Sequence, residues 1–250
     1  MAEPLATPPS GLLSDRFGLD ERALERTLGE ALARRIDYAD LYFEAASADS
    51  VSLEEGEVKR AGRHVVQGVG VRALAGERTG YAYSDEITLE RLTLAARHAG
   101  AIAASGGQAP SADLRMHPAA PAHDLYAVAA GSLHRPLGER VRLLEEVDRA
   151  ARAVDPRICN VLASLVVEDK TVVIATSAGE LVADHQPLVR LSITCLAEAG
   201  AKREQGTSGG GGRVGLSFFV DDAERALALA REAARRALVN LDAVEAPAGP

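Results

Sequence analysis

Two stretches decide the fold: residues 64–76, HVVQGVGVRALAG, and residues 188–200, LVRLSITCLAEAG. In the first, Val65, Val69, Val71 and Ala73 share the odd-numbered face; in the second, Val189, Leu191, Ile193 and Cys195 do. A period of two is the signature of a strand with one buried face. Each stretch closes on Ala-Gly, and each follows a glycine turn, EEGEV at Gly56 and SAGEL at Gly179. Upstream of the first turn, ADLYFEA (39–45) alternates Leu41, Phe43 and Ala45 with Asp40, Tyr42 and Glu44. Upstream of the second, NVLASLVVED and TVVIATSAGELV read as strands.

Helices flank both sets. Leu24, Leu28 and Leu32, with Ala31 beside them, predict a helix near 20–34 that Asp20 caps. A second is predicted over 88–104. Leu137, Val141, Leu144, Ala151 and Val154 mark a third over 137–154. A fourth runs over 221–241, with Asp221 as N-cap and Glu224 in its first turn. The order repeats. Gly56-Glu57 returns as Gly179-Glu180 at an offset of 123, and Ala75-Gly76 as Ala199-Gly200 at 124. Glu90-Arg91 returns as Glu224-Arg225 at 134, so the second unit gains ten residues after Gly200, around the run Gly209, Gly210, Gly211, Gly212. The expected architecture is α+β: two helix–antiparallel sheet–helix units. Residues 1–19 are expected to be disordered or extended, 20–104 the first unit, 105–136 a Pro/Gly/Ala-rich linker, 137–241 the second unit, and 242–250 a truncated connection. LSITCLAEAG and RVGLSFFV are expected to pair as a hairpin whose glycine tip, Ser208 to Gly212, extends beyond the sheet.

Composition narrows the classes. The chain has 250 residues, 28 Lys+Arg against 36 Asp+Glu, and a formal net charge of −8. That balance opposes a nucleic-acid partner, which needs a basic surface. No apolar run approaches the roughly 18 residues of a membrane span, and MAEPLATPPSGLLSDRF lacks a signal-peptide pattern. Two cysteines, Cys159 and Cys195, cannot make a disulfide framework, and Cys195 is expected to be a reduced core thiol.

Motifs of chemistry are sparse. His117, His123 and Asp124 in HPAAPAHD offer two imidazoles and a carboxylate, fewer than a rigid zinc site needs, so an exposed linker is expected. His64, His98, His134 and His185 stand singly. Gly68-x-Gly70 lacks the third glycine of a dinucleotide fingerprint, and Gly209–Gly212 followed by Arg213 lacks the Lys-Ser/Thr of a phosphate loop. The glycine run is either a flexible hairpin or a place where a ligand approaches the backbone closely. Gly209, Gly210, Gly211 and Gly212 are therefore the substrate-binding candidates, and no catalytic or metal-binding residue is assigned.

Four stretches resemble the TldD/PmbA family: DYADLYFEAA (37–46), GVGVRALAGERTGYAYSD (68–85), SGGGGRVGLSFF (208–219) and RALVNLDAVEAPAGP (236–250). The resemblance spans residue 37 to the C-terminus, and its last segment is its most specific. It implies a cytoplasmic metallopeptidase that cleaves unstructured peptides as a heterodimer of a TldD-type subunit with a TldE/PmbA-like subunit. The family's zinc site uses His-Glu-x-x-x-His and a downstream Cys, in which zinc acidifies bound water and Glu acts as base. None of the six histidines here is followed by Glu. The chain is therefore expected to be the N-terminal, substrate-admitting and dimer-contacting region of such an enzyme, inactive alone and without a cofactor of its own. The alternative is a non-catalytic peptide- or partner-binding module. No nucleic-acid or membrane partner is expected.

Overall fold

The computed structural model describes residues 9–104, 115–118, 128, 133, 135–244 and 249. The elements in chain order are α1 (Pro9–Phe17), α2 (Glu21–Leu32), β1 (Tyr38–Glu54), β2 (Glu57–Ala75), β3 (Arg78–Ser84) and α3 (Leu89–Ala103). Then come β4 (His117–Pro118), α4 (Leu137–Arg152), β5 (Ile158–Thr176), β6 (Glu180–Ala199), β7 (Lys202–Gly212), α5 (Ser217–Val220) and α6 (Ala223–Leu241). The fold is α+β. The strands form one seven-stranded sheet in the order β3-β2-β1-β5-β6-β4, with β7 also paired to β6. β2/β3 and β6/β7 are antiparallel, and the short β4 runs parallel to β6.

The turns fall where the glycines predict. Gly56, Gly76, Gly179 and Gly200 all have positive φ, from +58° to +89°, which glycine adopts without a Cβ penalty. Asp20 caps α2 by accepting from the Ala23 N–H at 2.8 Å. Thr88 caps α3 through Arg91 N–H.

Contacts divide the residues into two compact units that are not consecutive in sequence. The first holds residues 1–47, 65–127 and 170–186; the second holds 48–64, 128–169 and 187–250. Each long hairpin therefore gives its tip to the other unit's residue set. The first core contains Leu24, Leu28, Leu41, Phe43, Val71 and Leu92, joined by Val173, Ala175 and Leu181 from the β5–β6 hairpin. The second contains Leu144, Val161, Leu165, Leu191, Ile193 and Phe219, joined by Val51 and Leu53 from the β1–β2 hairpin. Each apolar stripe is thus covered by helices on one sheet face, as half-buried strands require.

Several expectations need correction. The stretch 1–19 is not extended where described: Pro9–Phe17 form α1, because Leu13 and Leu19 reach the first core. Gly18 at φ +67° ends that helix, its N–H donating to the Ser14 carbonyl. Residues 1–8 lie outside the described residues. So does most of the linker, 105–114, 119–127, 129–132 and 134; of its described residues, Met116 and Leu133 are core. Asp222, not Asp221, precedes α6, and Asp221 closes the short α5. Val65, Leu137 and Val154 are exposed. Val65 precedes the stretch of β2 that packs on the first core, and Leu137 and Val154 stand at or beyond the ends of α4, which buries Leu143, Leu144, Val147 and Ala151 instead.

The largest correction concerns the glycine run. It is no protruding tip: Lys202–Gly212 is strand β7, in register with β6 from Ala199↔Lys202 to Val189↔Gly212. RVGLSFFV is not its partner, since Ser217–Val220 is helical. The physical reason is room. A Cβ on Gly206 would strike the backbone of α6 at Ala233 and Ala237, and one on Gly209 would lie 2.7 Å from the Leu191 carbonyl. Glycine lets α6 and β6 close on this strand. The same device recurs in the first unit, where a Cβ on Gly80 of β3 would strike the backbone of α3 at Ala99 and come within 2.8 Å of the Ala103 nitrogen.

Candidate functional site

The sheet face opposite the helices in the first unit gathers the polar and aromatic side chains of three strands. On β1 these are Asp40, Tyr42 and Glu44; on β2, Gly70 and Arg72; on β3, Tyr81 and Tyr83. The strand period explains the grouping, because Leu41 and Phe43, Val71 and Ala73 turn the other way into the core. The β2/β3 register sets Arg72 opposite Tyr81 and Gly70 opposite Tyr83. Tyr81 lies across β2 at Gly70: a Cβ there would stand 3.0 Å from its ring. Tyr81 is 58% exposed and Tyr83 78%.

Two polar clusters brace this face. Arg72 donates through Nε (2.9 Å) and Nη2 (2.6 Å) to one Asp40 carboxylate oxygen. Burial, with the Asp40 carboxylate second, pushes the Tyr38 phenol above its ordinary range. In the second cluster Lys170 lies 2.7 Å from Glu44, and Tyr42 donates to Glu44 at 2.9 Å. The hydrogen bond from Lys170 holds the Glu44 carboxyl below the usual range, and burial raises Tyr42. Ring bodies with polar tips suit contact with peptide, which presents apolar side chains and main-chain donors and acceptors. The side chains named for this face form no nucleophile–base pair.

The glycine candidates occupy the far end of β7. Gly209, Gly210, Gly211 and Gly212 pair with Ser192, Leu191, Arg190 and Val189 of β6. Gly210 faces Leu229 of α6, and Gly211 takes φ +137° against the Val189 carbonyl. Helix α6 also takes two main-chain carbonyls of β7. Arg236 Nη1 donates to the Thr207 carbonyl and Asn240 Nδ2 to the Gln205 carbonyl, both at 2.8 Å. Gly209, Gly210 and Gly211 thus leave room for close neighbours, while Gly212 has open space where a Cβ would stand.

His117 is exposed in β4, its backbone N–H donating to the Gly179 carbonyl at 2.6 Å. His123, Asp124 and His134 lie outside the described residues. His98 lines a cavity of about 370 Å³ beside the end of β3 with Tyr83, Asp85, Glu86 and Leu94. Among the described residues no group of three or more His, Cys, Asp or Glu could hold a metal ion. Nor is any helix among them long and apolar enough to cross a membrane.

Cys195 is buried and Cys159 exposed, both as free thiols. Burial pushes the Cys195 thiol up to about 12. The thiolate is the reactive form, so a chromogenic disulfide reagent at pH 8 is expected to titrate one thiol rapidly, that of Cys159, and the second only after denaturation. Rapid reaction of both in the folded chain would contradict the packing of β6.

The face was not visible as a motif. Tyr42 and Tyr83 stand 41 positions apart, and strand parity alone brings their surfaces together. That parity was legible around Phe43 and Val71, so the outward set could have been read as the complement of the core.

Comparisons with known proteins place these features in context. A family model described as PmbA/TldA metallopeptidase domain 1 matches residues 39–103, and one described as the PmbA/TldA metallopeptidase central domain matches 132–241. The chain is 46% identical over 222 residues to the metalloprotease TldD homolog of Haemophilus influenzae, covering 86% of this chain and 45% of that protein. It is 35% identical over 227 residues to the metalloprotease TldD homolog of Buchnera aphidicola subsp. Acyrthosiphon pisum, covering 89% and 46%. The chain thus spans about half the length of these curated relatives. Among solved structures, a Thermotoga maritima protein described as a candidate modulator of a DNA gyrase aligns over 92% of this chain and 50% of that one, with TM-score 0.71 and 15% identity. TldE of Thermococcus kodakarensis aligns over 86% and 47%, with TM-score 0.59 and 16% identity. At such identities the structural likeness speaks for the fold.

Proposed function

Because the chain belongs to the PmbA/TldD metallopeptidase family, we propose that it is the substrate-admitting and partner-contacting region of a TldD-like zinc metallopeptidase acting on unstructured peptides in the cytoplasm. One observation carries this reading: the family's domain 1 and central domain follow one another along this chain, which spans about half the length of its relatives. The metal chemistry falls elsewhere. The described residues bring no three ligands together, and His-Glu-x-x-x-His is absent from the sequence, so these residues do not fit zinc and no hydrolytic step is assigned to them. What they supply is surface: main-chain groups at a sheet edge, to which an extended peptide adds with little sequence preference, and a tyrosine-bearing face beside it. The fold shared with TldE supports a TldE/PmbA-like subunit as the partner.

The test uses fluorescein-labelled β-casein, an unstructured polypeptide. The chain is expected to raise its fluorescence anisotropy saturably and to leave it intact with zinc added. No change in anisotropy would contradict the peptide-admitting role. Chelator-sensitive fragments would contradict the assignment of hydrolysis to another segment.

A further inference from the structure

We propose that the cavity between α2 and α3 in the first unit binds a small zwitterion with an apolar body, of the size of a free dipeptide. The site lies among the helices, on the other side of the sheet from the tyrosine face, and the proposal goes beyond the peptide-admitting reading.

The cavity follows from how the two helices pack. Ala31 meets Gly100, where a Cβ would stand 2.5 Å from the Ala31 carbonyl oxygen. One step back, Glu30 accepts from Arg97 Nε at 2.9 Å and from Nη2 at 3.2 Å. Further back, Arg26 shares a wall with Glu90 and Thr93. The positions fall together on both helices, so α2 and α3 run in the same direction. They touch at small residues near their C-terminal ends and part toward the start of α3. There a cavity of about 470 Å³ opens, lined by Arg26, Leu89, Glu90, Thr93, Leu94 and Arg97. Sites for small molecules enclose roughly 300–1,000 Å³.

The charges define the ligand. Arg97 is neutralised by Glu30, and its hydrogen bond holds the Glu30 carboxyl below the usual range. Arg26 feels the same carboxylate only through space. Among the described residues no hydrogen bond or ion pair engages the Arg26 side chain. Glu90 likewise has no direct cationic partner among them, since Arg91 beside it donates to Glu86 at 2.8 Å. The cavity thus presents one uncommitted guanidinium and one uncommitted carboxylate. The rest of its wall is aliphatic: Leu89, the exposed Leu94, and Thr93, whose hydroxyl donates to the Leu89 carbonyl at 2.7 Å. A guanidinium recognises a carboxylate through paired N–H donors, a carboxylate attracts an ammonium, and an aliphatic wall takes apolar side chains. An apolar anion would leave Glu90 unanswered, and an apolar cation would leave Arg26 so. A zwitterion with apolar side chains answers both. Peptide hydrolysis creates a carboxylate on one product and an ammonium on the other, so small fragments of a digested peptide belong to this class.

Titration of the whole ¹⁵N-labelled chain with leucyl-leucine, read by amide chemical shifts, tests this. Saturable shifts are expected at Arg26, Leu89, Glu90, Thr93 and Leu94. Leucyl-leucinamide and N-acetyl-leucyl-leucine, each lacking one charge, are expected to bind about tenfold more weakly. Arg26→Gln is expected to weaken leucyl-leucine about tenfold and to leave the amide unaffected; Glu90→Gln is expected to do the same for leucyl-leucine and to leave the acetylated form unaffected. Both side chains are exposed, so both variants are expected to melt with the parent. Arg26→Gln is also expected to bind β-casein like the parent, which keeps failure of this site separate from failure of the peptide-admitting reading. Absence of saturable shifts overturns the site. Shifts confined to the tyrosine face, equal binding of the capped dipeptides, or unchanged affinity in Arg26→Gln also overturn it.

Discussion

Gly206→Val is expected to cost about 3 kcal/mol, the upper range for forcing extra atoms into a packed site. For a chain of this size that lowers the melting temperature by about 6–12 °C. The added Cβ would meet the α6 backbone at Ala233 and Ala237, and backbone cannot swing aside as a side chain tip can. Relief would require α6 to lift from β7, and with it Ala230, Ala233, Ala234 and Ala237, all fully buried. Gly80→Val is expected to act alike against Ala99 and Ala103. Gly212→Ala is the matched control, since nothing lies within 4 Å of its would-be Cβ, and it is expected to leave the melting temperature unchanged. Calorimetry on the three variants checks the set. A Gly206→Val chain melting with the parent would mean that α6 does not lie on β7 as described.

Phe219→Ala is expected to cost about 3–5 kcal/mol, as for other fully buried aromatic residues. Phe219 is fully buried in the second core and meets Phe218 edge-on, with ring centroids 4.9 Å apart. Phe218 is only partly buried, under the Arg225 guanidinium at 4.4 Å, so Phe218→Ala is expected to cost less than half as much. Urea unfolding followed by circular dichroism measures both. Equal losses would fit a strand with both rings on an interface, not the helical turn of α5.

These two sites mark where the sequence was hardest to read. Alternation at Leu41, Phe43, Val69 and Val71, and at Val189 to Cys195, revealed the inner strands because burial on one face writes a period of two. Turns at Gly56 and Gly179 were legible because positive φ selects glycine. β7 was not, because GTSGGGG has no apolar alternation and poor strand propensity. Its strand state comes from β6 on one side and from a helix close enough to exclude Cβ. Both causes are tertiary, so neither shows in the local sequence. The two phenylalanines of LSFFV carry β character that the packing of α5 overrides. The exchange of hairpin tips between the two cores was equally hidden, since Val51 and Val173 look like any other strand residues. The tyrosine face is the outward complement of the buried set on β1, β2 and β3, and only the pairing of those strands brings Tyr42, Tyr81 and Tyr83 onto one surface.

The proposed role of this chain, the peptide-admitting region of a TldD-like metallopeptidase, is open to a direct exchange of parts. The most direct measurement is peptide cleavage by a chimera in which this chain replaces the matching 222-residue region of the Haemophilus influenzae TldD homolog, assayed with the TldE-type subunit beside the unaltered homolog. The chimera is expected to cleave the homolog's peptide substrate at a comparable rate and to keep its bound metal. A chimera that folds, keeps its metal and its partner subunit, yet cleaves nothing would contradict it.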